Sequence, residues 1–219
     1  MEHDFWQTRW KNDQLGFHLS FVHPILKRNL SRFGLVADAR IFLPLCGKTL
    51  DIGWLLEAGY RVVGAELSEI AVSQLFESLK LVPDISSWEG GQYWHAGRLT
   101  IFQGDIFRLG DDDLGPVDLV YDRAALVALP ASMRAAYAAQ ILALTHAAPQ
   151  LLITFEYDPT EKAGPPFPVW PEEVADHYAG SHTITELSRK DVLDASLSFR
   201  DAGVSRFVEV AWQLLPSSR

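Results

Sequence analysis

The sequence predicts an α/β protein: a doubly wound, mostly parallel sheet of seven strands with helices on both faces. Three observations carry this. Short apolar runs alternate with helical patterns along most of the chain, glycines and acids stand where several runs end, and the last run alternates in part, as an antiparallel strand does.

In order, apolar positions Phe21, Val22, Ile25, Leu26, Leu30 and Phe33 predict an amphipathic helix over 17–33, closed at Gly34, with Pro24 tolerated near its first turn. Arg40 to Leu45 (RIFLPL) reads as a buried strand and Thr49 to Ala58 as a helix closed by Gly59. Arg61 to Glu66 is strand-like, and Ser68 opens a helix to Leu79 with Ile70, Ala71, Leu75 and Leu79 on its apolar face. This spacing predicts right-handed βαβ units. Residues 81–98, with Gly90-Gly91 between aromatics, read as an inserted loop or small hairpin. Strands follow at Leu99 to Gln103, Val117 to Tyr121 and Gln150 to Tyr157, with an Ala-rich helix from Pro130 to Leu144 before the last of these. A Pro-rich loop (GPPFPVWP, 164–171), a short helix from Glu172 and strands at 183–187 and 207–215 finish the chain.

At 219 residues and 48% hydrophobic content, the chain is read as a single domain, 1–219, with a core of its own. Nineteen basic against 28 acidic residues give a net charge of −9, the wrong sign for holding nucleic acid or anionic lipid. No apolar run reaches the roughly 18 residues of a membrane span, and MEHDFWQTRWKND lacks the basic and apolar regions of a secretory leader. Cys46, the one cysteine, excludes an internal disulfide and fits a reducing compartment. These features lead us to expect a cytoplasmic monomer acting on a small molecule, without nucleic acid or membrane.

Ligands of doubly wound sheets bind outside the carboxyl ends of the strands, which directs attention to Leu45, Glu66, Gln103 and Tyr121. The turn Leu45-Cys46-Gly47-Lys48-Thr49 supplies one glycine, so it is neither a dinucleotide fingerprint nor a Walker A loop, whose first glycine would stand at Phe42. Phosphate binding is disfavoured. Glu66 fits a ribose-binding acid and equally a solvated surface acid. Gln103-Gly104-Asp105-Ile106 suits an adenine edge, and Tyr121-Asp122-Arg123 places an acid and a base at the sheet's mouth. Acids at three strand ends without a diphosphate turn favour a nucleoside carrying a positive group, as in S-adenosylmethionine.

Phe5, Trp6 and Trp10, Gly16-Phe17-His18, Leu43-Pro44-Leu45-Cys46-Gly47-Lys48 with Asp51, Glu66-Leu67-Ser68, Tyr121-Asp122-Arg123-Ala124-Ala125-Leu126 with Ala128-Leu129-Pro130, Glu156-Tyr157-Asp158 and Gly164-Pro165-Pro166-Phe167 together resemble the thiopurine S-methyltransferase family, in its bacterial form. The resemblance runs from about residue 5 to 170 and more loosely beyond. It implies a class I (Rossmann-like) methyltransferase fold, S-adenosylmethionine as donor with S-adenosylhomocysteine as product, and aromatic or heteroaromatic thiols as acceptors. Bacterial members are linked also to selenium and tellurium compounds. Position by position, it places Trp10, Leu45, Glu66, Asp105, Ile106 and Arg123 at the cofactor, with Arg123 reaching the substrate region as well. From their places in the chain, Arg123 at a strand end is read as the catalytic group, and Phe17 and His18 near the N-terminal aromatic cluster and Phe167 on the proline-stiffened loop are read on the substrate side. The aromatic cluster ahead of the sheet is read as part of an N-terminal helical flap over 1–34, and the segment 158–171, stiff at its prolines, as a substrate-side loop. A second substrate-side arginine has Arg200 as its nearest candidate.

Methyl transfer from sulfonium to thiolate is an in-line displacement, so positioning and exclusion of water dominate, and a cation such as Arg123 favours the anionic acceptor. Bland readings stand beside these: a structural Asp122–Arg123 ion pair, aromatic packing of Trp6, Trp10 and Phe17 without cation–π work, and a purely structural Gly164–Pro171 loop. Cys46 reads as a packed residue, since no activating base accompanies it, and the seven histidines show no metal-ligand spacing. Rival functions are a halide or metalloid methyltransferase of the same fold and, opposed by the missing glycines, a nicotinamide-dependent oxidoreductase.

Overall fold

The computed structural model describes residues 3–14, 16 and 18–217. Phe17, expected on the substrate side, lies outside the described residues. The chain divides into two compact units, Met1–Tyr121 and Asp122–Arg219.

The first unit opens with helix α1 (His3–Lys11) and a short helix α2 (Pro24–Asn29), which continues as a 3-10 turn over Leu30–Phe33. The helix predicted over 17–33 therefore begins seven residues late. Pro24 occupies the first helical position, where its missing N–H costs nothing, and the His23 ring nitrogen Nδ1 accepts the Ile25 N–H at 3.3 Å. Gly34 closes the turn with φ +58°, as a left-handed terminator should.

Strand β1 (Arg40–Leu43), helix α3 (Leu50–Glu57), strand β2 (Arg61–Glu66) and helix α4 (Glu69–Ser78) follow as the apolar rhythm predicts. Strands β3 (Asp84–Trp88) and β4 (Gly91–Ala96) come next, then β5 (Leu99–Gly104), the short helix α5 (Asp111–Leu114) and β6 (Leu119–Arg123). Segment 81–98 is thus the hairpin of its two alternatives. It explains why nine strands form among the described residues where seven were predicted. The strand order of this unit is β3-β4-β5-β2-β1-β6: parallel from β5 to β6 and antiparallel from β3 to β5. Asp111, Asp112 and Asp113, expected as a solvated turn, form the first turn of α5, where negative charge offsets the helix dipole.

The second unit holds the end of β6, helix α6 (Ala131–Leu144), strand β7 (Gln150–Glu156), helix α7 (Pro171–Tyr178), strand β8 (His182–Asp191), helix α8 (Leu197–Arg200) and strand β9 (Val208–Pro216). Its strand order is β7-β9-β8, antiparallel throughout, with an irregularity in β8 between Glu186 and Ser188. The predicted antiparallel character of the last strand is found, and β8 runs to ten residues rather than the five of 183–187. No helix among the described residues is long and apolar enough to cross a membrane.

Candidate active site

The turn between β1 and α3 is built on unusual backbone. Leu45 has φ +46° and Gly47 φ +54°, so two residues of one short turn adopt the left-handed region. For Gly47 this is cheap, whereas for Leu45 it costs about 1 kcal/mol and persists because the neighbours enforce it. The Cys46 N–H donates to the Ala65 carbonyl at 3.0 Å, and the Cys46 side chain is buried against β2 at Gly64. A Cβ at Gly64 would lie 2.7 Å from Ile101 Cδ1 and 2.8 Å from Cys46 Sγ, so the strand is glycine here to admit the turn.

Glu66 closes β2 and is 6% exposed, which decides against the solvated-acid reading. Its Oε2 accepts the Gly47 N–H at 2.7 Å and its Oε1 accepts the Ser68 N–H at 2.8 Å. One carboxylate therefore ties the turn after β1 to the N-terminus of α4. Burial raises its pKa above the ordinary value, and the backbone N–H groups of Ser68, Gly47 and Leu67 pull it back down. The two oxygens offer about four lone-pair sites, more than these backbone donors fill, so the carboxylate keeps capacity for a further donor.

Trp10 covers this turn. It is 5% exposed, and a Cβ at Gly47 would meet its ring carbon Cζ2 at 3.3 Å. The Lys48 ammonium lies 5.8 Å from the Trp10 ring centroid, and Gln7 Nε2 donates to the Leu67 carbonyl at 3.3 Å. Gln7 and Trp10, three residues apart on α1, thus reach the two turns that Glu66 joins. Gln103 Nε2 donates to the same Leu67 carbonyl at 2.9 Å. Gln7 escaped the sequence reading, although its spacing from Trp10 on one helical face was a usable signal.

Beyond β5, Asp105 Oδ1 accepts the Phe107 N–H at 3.0 Å and caps a 3-10 turn whose first residue, Ile106, is buried. Asp51, on the first turn of α3, is also buried: its Oδ1 accepts the His23 N–H at 2.7 Å and its Oδ2 accepts the Tyr121 hydroxyl at 3.1 Å. It fixes the chain entering α2, a role invisible in sequence because its partners are 28 and 70 residues away. His18 is half-buried and lines an open depression of about 330 Å³ with Lys48, Leu50, Gln74, Glu77 and Ser78. Cys46 behaves as a packed residue: burial and then the Glu66 charge push its thiol well above the ordinary range.

Trp10, Leu45, Glu66, Asp105 and Ile106 all belong to the first unit, and three of them, Trp10, Leu45 and Glu66, meet at the Gly47 turn. Arg123 and Phe167 belong to the second. Arg123 ends β6 and is followed by Ala124 with φ +64°, a strained position for a residue bearing a Cβ. Asp122 is fully buried, its Oδ1 accepting the Leu126 N–H at 3.1 Å and its Oδ2 the Tyr137 hydroxyl at 2.7 Å. The loop before α7 is tied down over residues 166–169. The Phe167 N–H donates to the Val127 carbonyl at 2.7 Å, the Val169 N–H to Phe155 at 2.8 Å and the Tyr157 hydroxyl to Pro166 at 2.7 Å. Arg134 Nη1 donates to the Pro168 carbonyl at 2.8 Å. The Gly164-Pro165 and Pro165-Pro166 peptides are cis, and the Phe167 ring folds back over Gly164, where a Cβ would sit 2.5 Å away. Arg200 ends α8 with its Nε 3.6 Å from Asp201.

The first unit's turn suits a nucleoside. A buried carboxylate with free lone pairs stands at a strand end, beside a glycine-lined turn and beneath an indole. The one-glycine turn lacks the close backbone approach a diphosphate needs.

Comparison with known proteins agrees. A family model for thiopurine S-methyltransferase matches residues 1–217. A thiopurine S-methyltransferase of Xanthobacter autotrophicus is 50% identical over 88% of this chain and 91% of its own. One from Pseudomonas aeruginosa is 46% identical over 98% and 99%. Among solved structures, the 1,6-didemethyltoxoflavin-N1-methyltransferase of Burkholderia thailandensis, with S-adenosylhomocysteine bound, aligns with TM-score 0.61 at 15% identity over 97% of this chain and 87% of that one. A methyltransferase from Thiobacillus denitrificans in complex with S-adenosylhomocysteine aligns with TM-score 0.61 at 14% identity, covering 96% and 98%. These distant likenesses establish the class I methyltransferase fold, and the close relatives establish that the chain belongs to the thiopurine S-methyltransferase family.

Proposed function

We propose that the protein transfers the methyl group of S-adenosylmethionine to the sulfur of aromatic or heteroaromatic thiols. Family membership supports the reaction. The observation that carries the residue assignment is Glu66: a buried carboxylate at the end of β2 that organises two backbone turns and keeps lone pairs for a donor pair such as two ribose hydroxyls.

When bound, the cofactor supplies an electrophilic methyl on a sulfonium. In this reading Glu66 accepts from the ribose, Leu45 presents backbone to the methionine part, and Asp105 and Ile106 border the adenine. Trp10 closes over the turn and offers an aromatic face to positive charge, worth about 0.5 to 2 kcal/mol. Segment 1–34 acts as a flap that excludes water, and the loop 158–171 walls the acceptor with Phe167. His18 stands on the substrate side. Arg123 favours the thiolate over the thiol, so no separate base is required.

Titration calorimetry with S-adenosylhomocysteine, beside NADH and with Glu66→Ala, tests the cofactor reading. Micromolar binding of the nucleoside, none of NADH and weakening in the variant are expected, whereas NADH binding would restore the oxidoreductase rival. For the acceptor step, Arg123→Ala is expected to lower kcat/KM at least about tenfold, or about 1.4 kcal/mol, and a loss under about threefold would remove its role.

A further inference from the structure

Arg123 stands on a turn that a buried carboxylate builds. We propose that Asp122 is a positioning residue for Arg123, its ionised carboxylate folding the strand-to-turn junction that presents the guanidinium to the acceptor. The inference rests on the reading of Arg123 given above.

Asp122 is the penultimate residue of β6 and has no exposed surface. Its two oxygens face opposite partners: Oδ1 takes the Leu126 N–H at 3.1 Å, four residues ahead, and Oδ2 takes the Tyr137 hydroxyl at 2.7 Å from α6. Between Asp122 and Leu126 the chain passes through Ala124 at φ +64° and enters the 3-10 turn over Leu126–Ala128. A strained left-handed alanine persists where surrounding bonds over-determine it, and the carboxylate's grip on Leu126 is such a bond. Arg123 lies inside the span it closes.

Protonation would rearrange this junction without unfolding it. A neutral carboxyl keeps one acceptor for the Leu126 N–H and carries its proton toward Tyr137, whose hydroxyl must turn from donor to acceptor, so the charge-assisted hold on the turn is lost. Burial brings the event into reach by pushing the Asp122 pKa up to about 6, against the Tyr137 and backbone Leu126 and Ala125 hydrogen bonds that lower it. Tyr137 from α6 and Tyr178 from α7 are the ionisable groups that face it, and burial holds both phenols well above their ordinary range. Neither changes charge near neutrality. Arg123 is the adjoining charged residue.

The test is kcat/KM between pH 5 and 8 for wild type, Asp122→Asn and Tyr137→Phe, using an electron-poor aromatic thiol that is ionised over the whole range. S-adenosylhomocysteine affinity, measured in parallel at each pH, separates any titration of Glu66 from the acceptor step. Wild type is expected to lose about fivefold or more in kcat/KM from pH 7 to 5 as Asp122 is protonated. Tyr137→Phe removes a hydrogen bond to the carboxylate and should move that limb to higher pH, while Asp122→Asn, which keeps an acceptor for Leu126, should flatten it. A flat wild-type profile, a limb that persists in Asp122→Asn, or a midpoint unmoved by Tyr137→Phe would overturn the proposal. Tyr137→Phe keeps it testable if the Asp122 variant does not fold. Full activity of Arg123→Ala would instead overturn the reading of Arg123 itself.

Discussion

Gly47 and Glu66, nineteen residues apart, meet through a 2.7 Å hydrogen bond in which the glycine N–H donates to a buried carboxylate oxygen. The other oxygen holds the Ser68 N–H at 2.8 Å, so the acid proposed to take the ribose also has a structural task. Glu66→Gln sets an amide NH₂ against one of these N–H donors. It should cost about 1 to 3 kcal/mol in urea denaturation as well as weakening S-adenosylhomocysteine. A loss of affinity at unchanged stability would show that the two backbone bonds carry little.

Gly47 tests the turn from the other side. With φ +54° and Trp10 Cζ2 3.3 Å from the Cβ it lacks, Gly47→Ala meets both a conformational penalty and the indole. The conformational part is about 1 kcal/mol. Cofactor affinity should fall several-fold with the Trp10 fluorescence environment altered, and a shorter chain beginning at residue 17 should lose affinity while the domain stays folded.

Gly64 is the packing counterpart. Gly64→Ala would press a methyl to within 2.8 Å of Cys46 Sγ and 2.7 Å of Ile101, an overpacking worth about 1 to 3 kcal/mol by thermal denaturation. Pairing it with Cys46→Ala relieves one clash and should recover part of the loss. In the native protein the buried, proton-retaining Cys46 thiol should resist alkylation until the chain unfolds.

Asp122 makes stability depend on pH in a definite direction. Its carboxyl is held at about 6 in the folded protein against 3.8 ordinarily, so the native state binds the proton more tightly. Its favourable contribution is complete below 3.8 and is lost as pH rises through about 6, a swing of about 3 kcal/mol. Relative to Asp122→Asn, wild type should lose stability across that window, and parallel unfolding free energies would contradict this.

Glu156 and Arg189 form an ion pair across β9 at 2.5 Å, with Glu156 buried and Arg189 also bonded to Glu186. Arg189→Leu strands the buried carboxylate and should destabilise by about 3 to 5 kcal/mol, whereas the double variant Arg189→Leu with Glu156→Leu should be far milder. Equal losses in the two would mean that burial of Glu156 charge is not what the arginine compensates.

The parallel strands were legible because each is a short apolar run bounded by glycine or an acid, and the period of a buried strand survives in any context. Glu66 and Arg123 were legible as strand-end residues for the same reason. The hairpin of β3 and β4 was not settled, since its register depends on Gly91 and Gly104 passing without side chains, and on Trp88 Nε1 donating to the Gln92 and Gln103 carbonyls. The N-terminal helix was placed too early because apolar spacing alone does not mark where a chain turns in. His23 does so here by capping α2 and donating its own N–H to Asp51.

By itself the sequence determined the alternation of strands and helices, the family, and which polar residues fall at strand ends, because these depend on local period and short motifs. The tertiary structure decided what those polar residues hold. It brought Glu66 to Gly47, Asp51 to His23 and Tyr121, and Asp122 to Tyr137, bonds between residues 15 to 70 apart. A buried carboxylate has no local preference that names its partner; only packing brings the donor to the oxygen that burial has deprived of water.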